Sequence, residues 1–140
     1  MRTKFIGITL ILIIMFTLAI QPLSAAPKTI KVKVTLVSAE LVENNHVGNE
    51  WWWGSYVNGK ELEEGSSVTL TLKSSDTIKL KAEAQEQDKI PEEGAANKSI
   101  KVSSVKGTIT KSLNVTVEEN RGRYSGEQAT WKFTFKIQKV

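Results

Sequence analysis

Between Ala129 and Gln138 the chain alternates without a fault: Ala129, Trp131, Phe133, Phe135 and Ile137 are separated by Thr130, Lys132, Thr134, Lys136 and Gln138. Successive side chains of a strand point to opposite faces, so this run makes one oily face and one wet face. The same rhythm recurs upstream. Ile30, Val32, Val34 and Leu36 alternate with Lys31, Lys33 and Thr35; Val68, Leu70 and Leu72 with Thr69 and Thr71. Ile78, Leu80, Ala82 and Ala84 alternate with Lys79, Lys81, Glu83 and Gln85, and Leu113, Val115 and Val117 with Asn114 and Thr116. Ile100–Val105 is a shorter candidate, and Thr108–Thr110 leads into the strand after it. No helical period competes. Asn58-Gly59 is the strongest turn signal, because both residues accept the positive φ of a tight hairpin. Weaker turn signals lie at Glu64–Ser67, Ser74–Asp76, Lys106-Gly107 and Asn120–Gly122. Half-buried strands at this spacing predict an antiparallel β-sandwich of about seven or eight strands.

The first 25 residues stand apart from this pattern. Arg2 and Lys4 precede the apolar run Phe5–Ile20, and small residues follow at Ser24, Ala25 and Ala26. This is the layout of a secretory signal peptide, with cleavage expected after Ala25 because cutting one residue later would leave Pro27 first. The apolar run is shorter than the ~20 residues that span a bilayer; an uncleaved leader would instead anchor the chain. Residues 26–140 then form a single domain, secreted or extracellular. The chain has no cysteine, so neither a disulfide nor a disulfide-linked partner is available, and the lipid-anchored form of export is excluded. Core packing has to hold the fold, which suits a bacterial exported protein better than a small eukaryotic one. The formal net charge of +4 includes Arg2 and Lys4; the remainder is too small an excess to argue for nucleic acid.

Three consecutive tryptophans, Trp51–Trp53, cannot all enter one core. If Trp51–Val57 is a strand, Trp51, Trp53, Ser55 and Val57 share the inner face. Trp52 and Tyr56 then stand outward, ~13 Å apart along the strand, with a gap over Gly54. Such a pair makes a platform for a sugar ring, a lipid headgroup or a partner protein. A loop lying over Trp52 would make it structural instead.

The charges sort by place. Lys31, Lys33, Lys79, Lys81, Lys101, Lys132 and Lys136 fall on wet strand faces, protecting edges or offering a basic face to an anionic surface. Acids gather in loops. The stretch Glu86–Gly94 holds Glu86, Asp88, Glu92 and Glu93, and the loop Glu43–Glu50 adds Asn44, Asn45, Asn49 and Glu50. Calcium takes six to eight oxygens from such groups, so Asn45, Glu50, Glu86, Asp88, Glu92 and Glu93 are the candidate metal ligands. Solvated polar loops are the plain alternative.

The order of Ala39–Gly59 resembles the opening of a C2 domain: Ala39 and Leu41 or Val42 in a strand, a polar loop with Gly48, then Tyr56-Val57. Glu86-x-Asp88 followed by Glu92-Glu93-Gly94 resembles that family's second acidic loop. The resemblance implies an eight-stranded sandwich with calcium held between loops at one end, binding membranes or protein partners. It covers about half of residues 26–140. The first loop carries asparagines where the family has aspartates.

Chemistry for catalysis is sparse. His46 is the single histidine, in a polar loop, and no serine has the context of a nucleophile. No phosphate-binding glycine loop or zinc spacing occurs. Arg121, Arg123 and Tyr124 lie in a glycine-flanked segment that reads as a hairpin loop with a basic tip, or as a grip for a carboxylate or phosphate. The sequence therefore reads as a non-catalytic binding module meeting a cell-envelope polymer, an anionic surface or a partner protein through Trp52, Tyr56, Arg121, Arg123 and Tyr124. The alternative is a secreted inhibitor or immunity-type protein that plugs a partner.

Overall fold

The computed structural model describes residues 24–140; the leader expected over residues 1–25 lies almost wholly outside them. Among the described residues, eight strands form two four-stranded antiparallel sheets. In chain order they are β1 (Thr29–Asn44), β2 (Trp51–Val57), β3 (Lys60–Glu61), β4 (Ser67–Lys73), β5 (Thr77–Glu86), β6 (Glu92–Lys101), β7 (Thr108–Glu118) and β8 (Gln128–Lys139). The first sheet has the order β4-β1-β8-β7 and the second β3-β2-β5-β6. Short 3₁₀ turns occupy Val102–Ser104 and Gly122–Tyr124.

The alternation places the core. Val32, Val34 and Leu36 of β1 meet Phe133, Phe135 and Ile137 of β8, all fully buried, and face Ile78, Leu80 and Ala82 of β5. Burying each large apolar side chain stabilises the fold by ~1.5–3 kcal/mol. Trp51 and Trp53 point inward as the strand parity requires. Trp51 meets Trp131 edge-on at 5.8 Å and Trp53 meets Phe133 at 5.7 Å, so β2 is fixed to the opposite sheet by aromatic contacts. Asn58 and Gly59, at φ 48° and 80°, make the expected tight hairpin from β2 to β3.

Two elements depart from expectation. β1 runs on to Asn44, past Leu36, through register shifts at Leu36/Ser38 and Leu41/Glu43. Each shift inserts one extra residue, Val37 or Val42, which turns outward and resets the alternation. β6 starts at Glu92, where the sequence suggested a loop, and gives way to a 3₁₀ turn at Val102, where it suggested a strand. Its segment EEGAANKSIK is poor in strand formers, yet its register with β5 is continuous from Glu86↔Glu92 to Thr77↔Lys101. Gly94 is what the edge needs: a Cβ there would run into the Thr116 carbonyl of β7. The two sheets close against one another along this β6/β7 edge.

Candidate functional site

The β1–β2, β5–β6 and β7–β8 connections lie at the same end of the sandwich. Here the inward face of the second sheet, apolar along Ile78, Leu80, Ala82 and Ala84, ends in Glu86. Its ladder partner across the hairpin is Glu92. Both carboxyl groups occupy positions where the alternation calls for apolar residues, and both are buried, at 2% and 4% exposure. With Asp88 between them, the three residues bring carboxylate oxygens within 4.8 Å of one another. Like charges facing each other across a ladder are destabilising, so the arrangement needs compensation.

Some is supplied by the main chain. Glu86 Oε1 accepts the Glu50 N–H at 3.4 Å and Oε2 accepts the Asp88 N–H at 3.0 Å. The Gln87 N–H donates to the Glu50 carbonyl at 2.6 Å, tying the β5–β6 loop to the chain entering β2. Gly48, at φ 125°, packs directly on the Glu86 carboxylate and leaves no room for a side chain there. Asp88 Oδ1 accepts the Ile90 N–H at 2.7 Å. Glu92 is different: its Oε2 is buried and has no hydrogen-bond partner. Burial pushes its carboxyl above the ordinary range, and the charges of Glu119, Asp88 and Glu86 push the same way, against a smaller opposing effect of the Asn120 backbone.

This donor set is all oxygen, acidic and free of His or Cys. It matches the hard-cation preferences of calcium rather than those of zinc. The orphaned Glu92 oxygen is the kind of group a cation satisfies, and each Glu86 oxygen keeps a second lone pair after accepting its N–H.

The other expected ligands lie apart. Glu93 follows the strand parity to the outer face, opposite Gln85. Glu50 contributes its backbone, and its side chain stays outside the cluster. Asn45 donates to Glu43 at 2.9 Å. Asn44 closes its own loop, donating to the Gly48 carbonyl at 2.7 Å and accepting the Val47 N–H at 3.1 Å. Glu119 joins the site without a signal of its own, and Gly48, marked by the resemblance only as the glycine of a polar loop, turns out to pack on Glu86. Glu119 is visible in the sequence only as one acid of a pair after β7, while the need for glycine at position 48 comes from a residue 38 positions away.

The basic loop docks on the first loop rather than beside Trp52. Tyr124 stacks on His46 with ring centroids 4.4 Å apart and an interplanar angle of 6°. The Arg123 guanidinium lies 5.7 Å from the Tyr124 ring, and the Arg121 N–H donates to Glu119 at 2.9 Å. The single histidine is thus half of a loop clasp.

Trp52 and Tyr56 do stand outward, Trp52 at 40% exposure and Tyr56 half-buried. The expected gap between them is closed. A Cβ built on Gly54 would lie 2.9 Å from Tyr56 Oη and 3.1 Å from Trp52 Cη2, so both rings lean together over the glycine. They form a continuous strip along β2. Lys81 Nζ lies 5.6 Å from the Tyr56 ring and pairs with Glu83. That pairing raises the Lys81 pKa, burial opposing it. Lys31, Lys33, Lys132 and Lys136 belong to the first sheet, Lys79 and Lys81 to the second. No protein-family model matches this chain, and no curated protein matches it at a significant level.

Proposed function

We propose that this chain is an exported, non-catalytic binding module of a bacterium, C2-like at its loop end, that takes a calcium ion between Glu86, Asp88 and Glu92. The observation that carries the reading is the buried, unpartnered Oε2 of Glu92 within a three-carboxylate cluster. An acid is kept in such a place at a cost of ~1–3 kcal/mol unless something satisfies it. A divalent cation supplies positive charge where only acids and a few amides converge. The side chains that hold it come from β5, the β5–β6 loop and β6. Glu86 is also bonded to the chain entering β2, and Glu92 lies against Glu119 and Asn120. Ion binding at these three residues therefore stiffens all three connections at that end. The leader-like residues 1–25 support export, and the engagement of the single histidine, His46, in a ring stack with Tyr124 supports binding over catalysis.

The test is a calorimetric titration of residues 26–140 with calcium and, separately, magnesium at neutral pH. The expected result is one calcium per chain, weaker magnesium binding, and a raised melting temperature. No heat and no melting shift at millimolar calcium would overturn the cation site. The inhibitor or immunity-type reading draws on the stacked His46–Tyr124 clasp, which joins two loops into one surface that a protein partner could meet. Capture from culture fluid separates the two: a single stoichiometric protein supports the inhibitor, and envelope material supports the module.

A further inference from the structure

The outer face of the second sheet carries a trough that the loop-end site does not use. Tyr56, Lys81 and Asn97 form one row across β2, β5 and β6, and Gly54, Glu83 and Ala95 form the next. A groove of about 530 Å³ lies over Tyr56, Lys79, Lys81, Asn97 and Ser99. A second recess of about 310 Å³ lies over Trp52, Gln85, Glu93 and Ala95, and Glu83 lines both. The shape follows from the residues. β2 contributes two large rings, while β6 contributes Ala95, Asn97 and Ser99, so one wall is tall and aromatic and the other low.

The lining selects the occupant. Apart from the two rings, no outward side chain of these rows is an apolar group larger than alanine, which leaves nothing to hold an acyl chain or an apolar helix. Lys79, Lys81 and Lys98 line the recesses together with Glu83 and Glu93, and Lys81 is already paired with Glu83. Three positive and two negative groups over the two recesses leave one excess positive charge, too little to draw a polyanion or an acidic bilayer. What remains is an aromatic strip along ~13 Å of strand, flanked by amide, carboxylate, ammonium and hydroxyl groups that donate and accept hydrogen bonds. Ring faces stack on the C–H faces of sugars, and the polar groups match hydroxyls in both directions. Two connected recesses along one strip suit a chain of several sugars rather than one. Resting on the reading of the protein as a binding module, we infer that this trough binds a linear, uncharged glycan, with Trp52 and Tyr56 as the stacking residues.

The experiment uses residues 26–140 against linear oligosaccharides of β-linked glucose, N-acetylglucosamine, xylose and mannose, read by tryptophan fluorescence and calorimetry, with phosphatidylglycerol vesicles in parallel. The expected result is binding to at least one glycan. Trp52→Ala and Tyr56→Ala each weaken it about tenfold, the size of one lost aromatic contact. Lys33→Ala, on the other sheet, leaves it unchanged. Gly54→Ala keeps both rings but forces their tips apart; it also weakens binding, with a melting temperature that shows the fold intact. Binding to no glycan, glycan binding indifferent to Trp52, Tyr56 and Gly54, or retention only on vesicles would each overturn the inference. Repeating the titration in a chelator separates the two proposals. Glycan binding persists there whether or not the cation site is real, and a failed glycan panel leaves the calcium titration untouched.

Discussion

Replacing Glu92 with glutamine keeps the shape of the side chain and removes its charge, and the two proposed states of the site respond in opposite directions. In a chelator at neutral pH, the wild-type carboxylate is buried with one oxygen unpartnered and with Glu86, Asp88 and Glu119 nearby. An unsatisfied buried polar group costs ~1–3 kcal/mol. This one lies at the end of the sandwich, where solvent screens part of the charge, so ~1–2 kcal/mol is the appropriate range. Glutamine also offers N–H donors to the surrounding carboxylates. Glu92→Gln is therefore more stable than wild type without metal, by roughly 4–8 °C in melting temperature for a domain of this size. With calcium at 100 times its dissociation constant, wild type gains ~2.7 kcal/mol. The variant has lost one of three anionic ligands and gains well under half of that. The order of stability inverts between chelator and calcium. Differential scanning calorimetry of both proteins in both conditions reads the four values directly. If Glu92→Gln is the less stable protein in chelator and neither protein responds to calcium, the Glu92 oxygen was never an unmet demand and the reasoning fails.

The same carboxyl predicts a pH dependence. Its folded-state pKa is raised above the ordinary 4.5, so between those values the folded chain binds more protons than the unfolded one. Glu92 then makes metal-free stability fall as pH rises through that window; urea denaturation across pH 4–7, compared with Glu92→Gln, isolates the contribution. Gly94→Ala drives a Cβ into the Thr116 carbonyl and should lower stability by ~1–3 kcal/mol through a forced backbone shift, seen as a lower urea midpoint with an unchanged slope. Phe133→Ala empties a fully buried site against Trp53; a loss of ~3–5 kcal/mol is expected from thermal melts, and a change below 1 kcal/mol would mean the core is not packed as described.

The sandwich was legible wherever alternation was unbroken, as in β5, β7 and β8, and so was the division of the tryptophans between inner and outer faces. What escaped has identifiable causes. β1 was cut short because Val37 and Val42 each add a residue out of phase, and a parity reading cannot follow a strand through a bulge. β6 was missed because Gly94, Ala95, Ala96 and Asn97 carry almost no strand propensity; the ladder from β5 and a close backbone contact with β7 form the strand instead. The carboxylate cluster was half visible. Glu86, Asp88 and Glu92 stood out as a dense acidic stretch, but their burial did not, because acids near a turn read as solvated. Glu93 looked equivalent to Glu92, and a single step of strand parity separates them.

The placement of β8 governs when this protein can exist. β8, the last of the described strands, lies between β1 and β7, in the middle of its sheet. While Gln128–Lys139 remain unsynthesised, β1 and β7 have no neighbour in common and the core lacks Phe133, Phe135 and Ile137. A growing polypeptide of this design cannot complete its first sheet until Gln128–Lys139 emerge.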